Sequence, residues 1–230
     1  MKTIGILGGM SAASTQLYYA KLCELVRERL GGLHSPELLI RSLDFAAIEA
    51  LQMSDDWAEA GRVLNANALA LERGGADFIL LATNTMHKVA DEMMAGVSVP
   101  LLHIADATAD AIGAAGLARP GLMATAFTME QAFYTDRLVA AGLSPVIPEA
   151  DDRAETHRII YDELCRELVT EESRVAYEGI AGRLVAAGAD CVILGCTEVG
   201  MLLNAGNVPV PVFDTTHVHC EAAADLALED

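Results

Sequence analysis

Two side chains in this sequence stand where a buried strand would end, and each could handle a proton. Cys196 closes an apolar run that starts at Gly188 (GADCVILGCTE, to Glu198), and Thr83 closes a similar run from Gly75 (GADFILLATNT, to Thr85). A thiol with an ordinary pKa near 8.5 populates both protonation states close to neutrality, so it can remove or return a proton. At a strand end followed by a helix it would also feel the positive helix terminus, which favours thiolate. A threonine hydroxyl cannot act as a base near neutral pH; alone it reads as a cap or turn donor. Cys191, inside the same apolar run, reads as core, since free cysteine is among the most buried residue types. Cys23, Cys165 and Cys220 fall on expected helices and read as packing.

The repetition alters the reading of Thr83. One offset relates Gly75 to Gly188 and Thr83 to Cys196, and each run is preceded by a helical pattern and followed by a Val-Pro segment, at Val99-Pro100 and Val210-Pro211. Matching positions in a duplicated architecture approach one ligand from opposite sides. Asn84, Thr85 and Thr197 would then offer amide, hydroxyl and backbone N–H donors to a carboxylate. Other motifs lead elsewhere. Gly5, Gly8, Gly9 and Ser11 lack GxGxxG spacing, Asp44 lies too far on for a ribose contact, and no Walker lysine follows. This turn suits a small anion or a close backbone approach better than a nucleotide. His217 and His219 precede Cys220, but i and i+2 do not converge on a helix, so no metal is expected.

These side chains need strands to carry them. Continuous apolar runs at Ile4–Leu7, Phe78–Ala82 and Gly121–Ala124 read as strands buried on both faces. Leu38–Leu43, Val99–His103 and Val146–Pro148 read as further strands. Helical patterns separate them: Ser11 or Ser14 caps a helix to Leu30, Thr128 to Gln131 forms a capping box, and Asp151–Leu168 and Glu171–Ala187 follow. Strand–helix alternation implies parallel sheets with right-handed crossovers. The expected architecture is α/β, with two pseudo-symmetric Rossmann-like halves facing each other across a cleft. Residues 1–98, completed by 212–230, make one half, and residues 99–211 make the other.

Composition narrows the class. The chain has 230 residues, 53% of them hydrophobic and 5% aromatic, enough for a large core in an α/β enzyme. A formal charge of −18 argues against a nucleic-acid surface, which needs a basic footprint. An anionic ligand would have to be held against that field by helix N-termini or a few placed cations. No apolar run is long enough to span a membrane, and the first residues lack a secretory pattern. Five cysteines without CxxC spacing suit reduced thiols in the cytoplasm.

The motifs Gly8-Gly9-Met10-Ser11, Thr83-Asn84-Thr85-Met86-His87 and Gly195-Cys196-Thr197-Glu198 resemble the signatures of the cofactor-independent aspartate/glutamate racemases. Thr128 to Gln131, Pro148 to Asp151 and Val212 to Thr215 extend the resemblance over essentially the whole chain. The similarity is greatest to the branch with threonine at the first catalytic position, which prefers L-substrates; the usual member has cysteine at both. The resemblance implies a small acidic amino acid as substrate, no cofactor and a homodimer. It implies that Cys196 deprotonates the L-enantiomer while Thr83, or a water it holds, returns a proton poorly, so the D-to-L direction should be slow. It places substrate carboxylates on Met10, Gln52, Asn84, Thr85, Thr125, Thr197 and Glu198. A lysine of the family aligns with Arg166, which could hold a side-chain carboxylate bidentately. Two alternatives stay open: a single-cysteine decarboxylase or isomerase of the same superfamily, and a non-catalytic amino-acid-binding protein.

Overall fold

A computed structural model describes residues 1–166 and 168–229, without the side chains of Thr197 and Glu198. In chain order the elements are β1 (Ile4–Gly8), α1 (Ala12–Leu30), β2 (Leu38–Ser42), α2 (Phe45–Met53), α3 (Trp57–Arg73), β3 (Phe78–Leu81), α4 (Ala90–Met93), β4 (Leu101–Leu102) and α5 (Ile104–Ala114). They continue as β5 (Pro120–Ala124), α6 (Ala126–Glu130), α7 (Ala132–Ala140), α8 (Ala150–Asp162), α9 (Glu171–Ala186), β6 (Cys191–Gly195), β7 (Val212–Asp214) and α10 (Thr215–Leu228). Short 3-10 turns occupy Thr85–Val89, Leu164–Arg166 and Thr197–Met201.

The chain forms two compact units, residues 1–104 with 219–230 and residues 105–218. These exchange points lie later than the expected 98/99 and 211/212. The cause is strand pairing: β4 joins β3 in the first sheet and β7 joins β6 in the second. The first unit carries a parallel sheet in the order β2-β1-β3-β4, the second a parallel sheet in the order β5-β6-β7. The strand expected at Val146–Pro148 shrinks to a bridge between Val146 and Gly121. Pro148 has no N–H with which to extend that ladder.

Burial on both faces explains the unbroken apolar runs. In the first unit Ile4, Ile6, Phe78 and Leu80 pack on one side with Tyr18, Leu22 and Val26 of α1 and with Cys220, Ala223 and Ala227 of α10. The alternate residues Leu7, Ile79 and Leu81 pack on the other side with Ile48 of α2 and Ala60, Leu64 and Leu71 of α3. In the second unit Met123, Val192 and Leu194 pack with Ile159 and Ile160 of α8 and Tyr177, Ile180 and Leu184 of α9.

The duplication is repeated bond for bond. Gly75 and Gly188 take φ of 100° and 98°, a region that favours glycine. Their N–H groups donate to Glu72 and Val185, and those of Ala76 and Ala189 to Leu71 and Leu184. Asp77 and Asp190 then donate to Thr3 and Arg119, while their carboxylates accept from the N–H groups of Thr3 and of Ala118 and Arg119. Gly5 and Gly121 admit the close approach of those alanines: a Cβ would lie 2.7 Å from Ala76 in one unit and 3.3 Å from Ala189 in the other.

Two helices differ from expectation. Thr125, not Thr128, caps α6, because its hydroxyl reaches the Thr128 N–H; Thr128 is buried one turn into the helix. The helix expected over Asp151–Leu168 ends at Asp162. The Glu163 carboxylate accepts from Ser173 and Thr170 at the start of α9, which turns the chain there.

The turn after β1 leaves no room for a side chain at Gly9. Its φ is +89°, and a Cβ would sit 2.2 Å from the Leu43 carbonyl oxygen, in a segment held by the Leu43 N–H bond to Gly8. Gly9→Ala should therefore lose about 3 kcal/mol or more of stability in urea unfolding. A loss below about 1 kcal/mol would show that the turn relaxes.

Candidate active site

In the first unit the site residues gather at the carboxyl ends of β1 and β3, which are neighbours paired in register from Ile4 with Phe78 to Leu7 with Leu81. Met10, 6% exposed, leaves β1 and shares a cluster with Ile48 and Met86. Gln52, 4% exposed, donates its amide to the Met86 sulfur at 3.0 Å, which brings it to the segment after β3. Thr83 is half-buried, and Asn84 and Thr85 are buried. Bonds to main-chain carbonyls hold this segment: the Thr83 N–H donates to Leu81 at 2.9 Å, and the Ser14 hydroxyl donates to Ala82 at 3.2 Å. His87 Nδ1 lies 2.8 Å from the Thr83 carbonyl.

In the second unit Thr125 and Cys196 leave adjacent parallel strands at one level, just beyond the paired residues Ala124 and Gly195. Gly195 is required there, since a Cβ would lie 2.8 Å from that of Ala124. Thr125 is buried as the α6 cap, and Cys196 is half-buried. The 3-10 turn that ends at Arg166 packs against the turn that follows Cys196, so the second unit brings Thr125, Cys196 and the Arg166 segment together. Arg166 is exposed and makes no salt bridge among the described residues. The side chains of Thr197 and Glu198 lie outside the described residues.

The segment after Cys196 corrects one expectation. A five-residue 3-10 turn follows the thiol instead of an α-helix, and so short a turn aligns too few peptide dipoles to act as a strong positive terminus. The contrast with Cys191 holds: that residue is fully buried, and burial, with Asp190 beside it, pushes its thiol up to about 12.

Several residues that frame these strand ends carry no sequence motif of their own. The Thr215 hydroxyl donates to the Leu194 carbonyl at 2.9 Å, the second unit's analogue of Ser14 on Ala82. Burial raises the Asp214 carboxyl, offset in part by the N–H groups of Thr216 and His217, and its Oδ2 abuts Gly200. Tyr177 donates to the Thr156 carbonyl; burial first, and then the charge of nearby Cys196, lift its phenol well above the usual range. His157 accepts the Ala126 N–H at Nδ1, next to the Thr125 cap, and desolvation lowers its pKa. His87 could have been singled out, because it closes the Thr83 motif. The others required knowledge of long-range packing.

The Asp/Glu/hydantoin racemase family model matches residues 7–223. The chain belongs to that family. It is a racemase family, racemases being isomerases, and the two α/β units with parallel sheets agree with the family's solved structures. A crystal structure from Yersinia pestis, of a protein named for the Asp/Glu racemases, is 47% identical and covers all of both chains with a TM-score of 0.93. An aspartate racemase homologue from Pyrococcus horikoshii is 37% identical, again over all of both chains, with a TM-score of 0.86. The broad-specificity amino-acid racemase RacX of Bacillus subtilis is 25% identical over 218 residues, 93% of this chain and 92% of the relative. Among the described residues, no helix is long and apolar enough to cross a membrane.

Proposed function

We propose that this family member is a cofactor-independent racemase of acidic amino acids. Cys196 removes the α-proton of the L-substrate, and Thr83, or a water it holds, supplies a proton weakly from the opposite face of that carbon. The observation that carries the reading is the equivalence of the two positions: each follows an interior strand of its own sheet, within a framework duplicated down to single hydrogen bonds. The names of relatives supply the substrate class.

The α-proton of an amino acid is far less acidic than any side chain here, so the reaction depends on donors that stabilise charge moving onto the carboxylate. Asn84, Thr85, Thr125 and the Thr197 segment take that part in this reading, with Met10 and Gln52 shaping the first unit's end. Arg166 neutralises the side-chain carboxylate, against a formal net charge of −18. Glu198 remains assigned to the substrate by resemblance alone. The enzyme is further taken to be a cytoplasmic homodimer, and sedimentation of the purified chain would report the assembly.

Arg166→Ala should lower kcat/KM on L-aspartate by about 30-fold or more while changing that for an uncharged amino acid less than threefold, the size expected for one charge-assisted hydrogen-bonded contact. Equal losses on both substrates would remove Arg166 from the assignment.

Proton NMR of L-aspartate and L-glutamate in deuterated buffer tests the function directly. Loss of the α-proton signal, with deuterium in the recovered amino acid and no added cofactor, is the expected result. Carbon dioxide from an arylmalonate without such exchange would move the chain to the decarboxylase reading. Tight binding with no exchange would make it a binding protein.

A further inference from the structure

Thr83 is anchored through its backbone, and the anchor is a histidine whose tautomer can be read from its partners. His87 is 3% exposed. Its Nε2 lies 3.4 Å from the Ile104 backbone nitrogen, an obligate donor, and its Nδ1 lies 2.8 Å from the Thr83 carbonyl, an obligate acceptor. One arrangement satisfies both: the proton sits on Nδ1 and Nε2 accepts.

The far side of this clamp is itself held. His219, fully buried, has Nε2 at 2.8 Å from the Leu102 carbonyl and Nδ1 at 2.9 Å from the Tyr18 hydroxyl. By the same logic its Nε2–H donates to Leu102 while Tyr18 donates to Nδ1. Burial, and then the neighbouring His87, hold its pKa down to about 3, so it keeps this neutral form at working pH. The His103 ring packs against that of His87 at 4.3 Å between centroids. A continuous path thus runs from Tyr18 on α1 through His219 on α10 to Leu102, along the chain to Ile104, and through His87 to Thr83. All of it lies within the first unit.

We propose that His87 is a positioning residue that sets the Thr83–Thr85 segment through its Nδ1–H, acting only as the neutral Nδ1–H tautomer. The claim about catalysis rests on the functional reading above; the claim about the segment does not. The two ring nitrogens can be replaced separately. In His87→Asn the amide Nδ2 stands where Nδ1 stood and can still donate to Thr83, but nothing reaches Ile104. In His87→Gln the terminal oxygen stands where Nε2 stood and can accept from Ile104, but the Thr83 bond is lost.

The test uses the full chain and three measurements. Nitrogen-15 NMR of labelled histidine in the wild type should show His87 protonated on Nδ1. His87→Asn should keep kcat/KM for α-proton exchange from L-aspartate within about threefold of wild type. His87→Gln should lose about 100-fold, the scale on which a misplacement of about 1 Å lowers a rate. Backbone amides of Thr83 to Met86 should exchange with solvent at least tenfold faster in His87→Gln than in His87→Asn. An Nε2–H tautomer in the wild type, or equal behaviour of the two variants in rate and amide exchange, would overturn the proposal. If the wild type exchanges no α-proton from acidic amino acids, the functional reading fails. Amide exchange and the tautomer then decide the positioning claim alone.

Discussion

Cys196→Ala should lower α-proton exchange from the L-substrate by about 10³-fold or more, near the upper end of what one positioned acid–base group contributes. No neighbouring group can replace it. Cys191 points into the core with its thiol raised to about 12, and the buried Tyr177 phenol is pushed well above its ordinary range. The fold should survive the change. Cys196 is half-buried, and the features that set its position do not use its side chain: the pairing of Gly195 with Ala124, the Thr215 hydroxyl bond to the Leu194 carbonyl, and the Val199 N–H bond to the Cys196 carbonyl. Cys191→Ala is the matched control. It removes a fully buried sulfur, so about 1–2 kcal/mol of stability should go while exchange stays within about twofold. Exchange rates by proton NMR and urea midpoints read both arms. Wild-type exchange in Cys196→Ala would remove this thiol from the mechanism.

The structural equivalence of the two strand ends, to which the proposal assigns the catalytic groups, could be read from the chain, because the duplicated feature is local. A glycine at positive φ, an aspartate that closes the strand's first turn and a run buried on two faces leave a contiguous signature. What the sequence did not show depends on partners distant along the chain. The early end of α8 follows from Glu163 reaching Ser173 and Thr170. The shift of the cap from Thr128 to Thr125 reflects burial of the later hydroxyl beside the earlier one, at 3.2 Å. The assignment of β4 to the first sheet depends on its pairing with β3, which a Val-Pro motif shared by both halves cannot reveal. The clamp on Thr83 joins residues 18, 87, 102, 104 and 219, and no periodicity relates them.

Thr83→Cys should raise racemisation in both directions and D-substrate α-proton exchange by about 100-fold or more. The two enantiomers have equal free energy, so kcat/KM for inversion is the same from either side whatever groups flank the carbon. A weak partner at position 83 therefore slows D-to-L and L-to-D alike, and the asymmetry expected from a single thiol lies in isotope exchange. L-substrate can lose its α-proton to Cys196 and regain one on the same face without inverting, whereas D-substrate has to surrender its proton to a hydroxyl. A thiol of ordinary pKa is roughly one quarter thiolate at pH 8, while an unactivated hydroxyl offers essentially no alkoxide. The replacement is sterically mild, since Thr83 is half-buried, and its N–H bond to Leu81 and carbonyl bond to His87 use backbone atoms that remain. Deuterium exchange into each enantiomer, followed beside chiral chromatography, separates exchange from inversion. Wild type should exchange the L-form faster than it inverts it, and Thr83→Cys should bring the two rates together. An unchanged ratio of exchange to inversion would mean that the second proton comes from elsewhere.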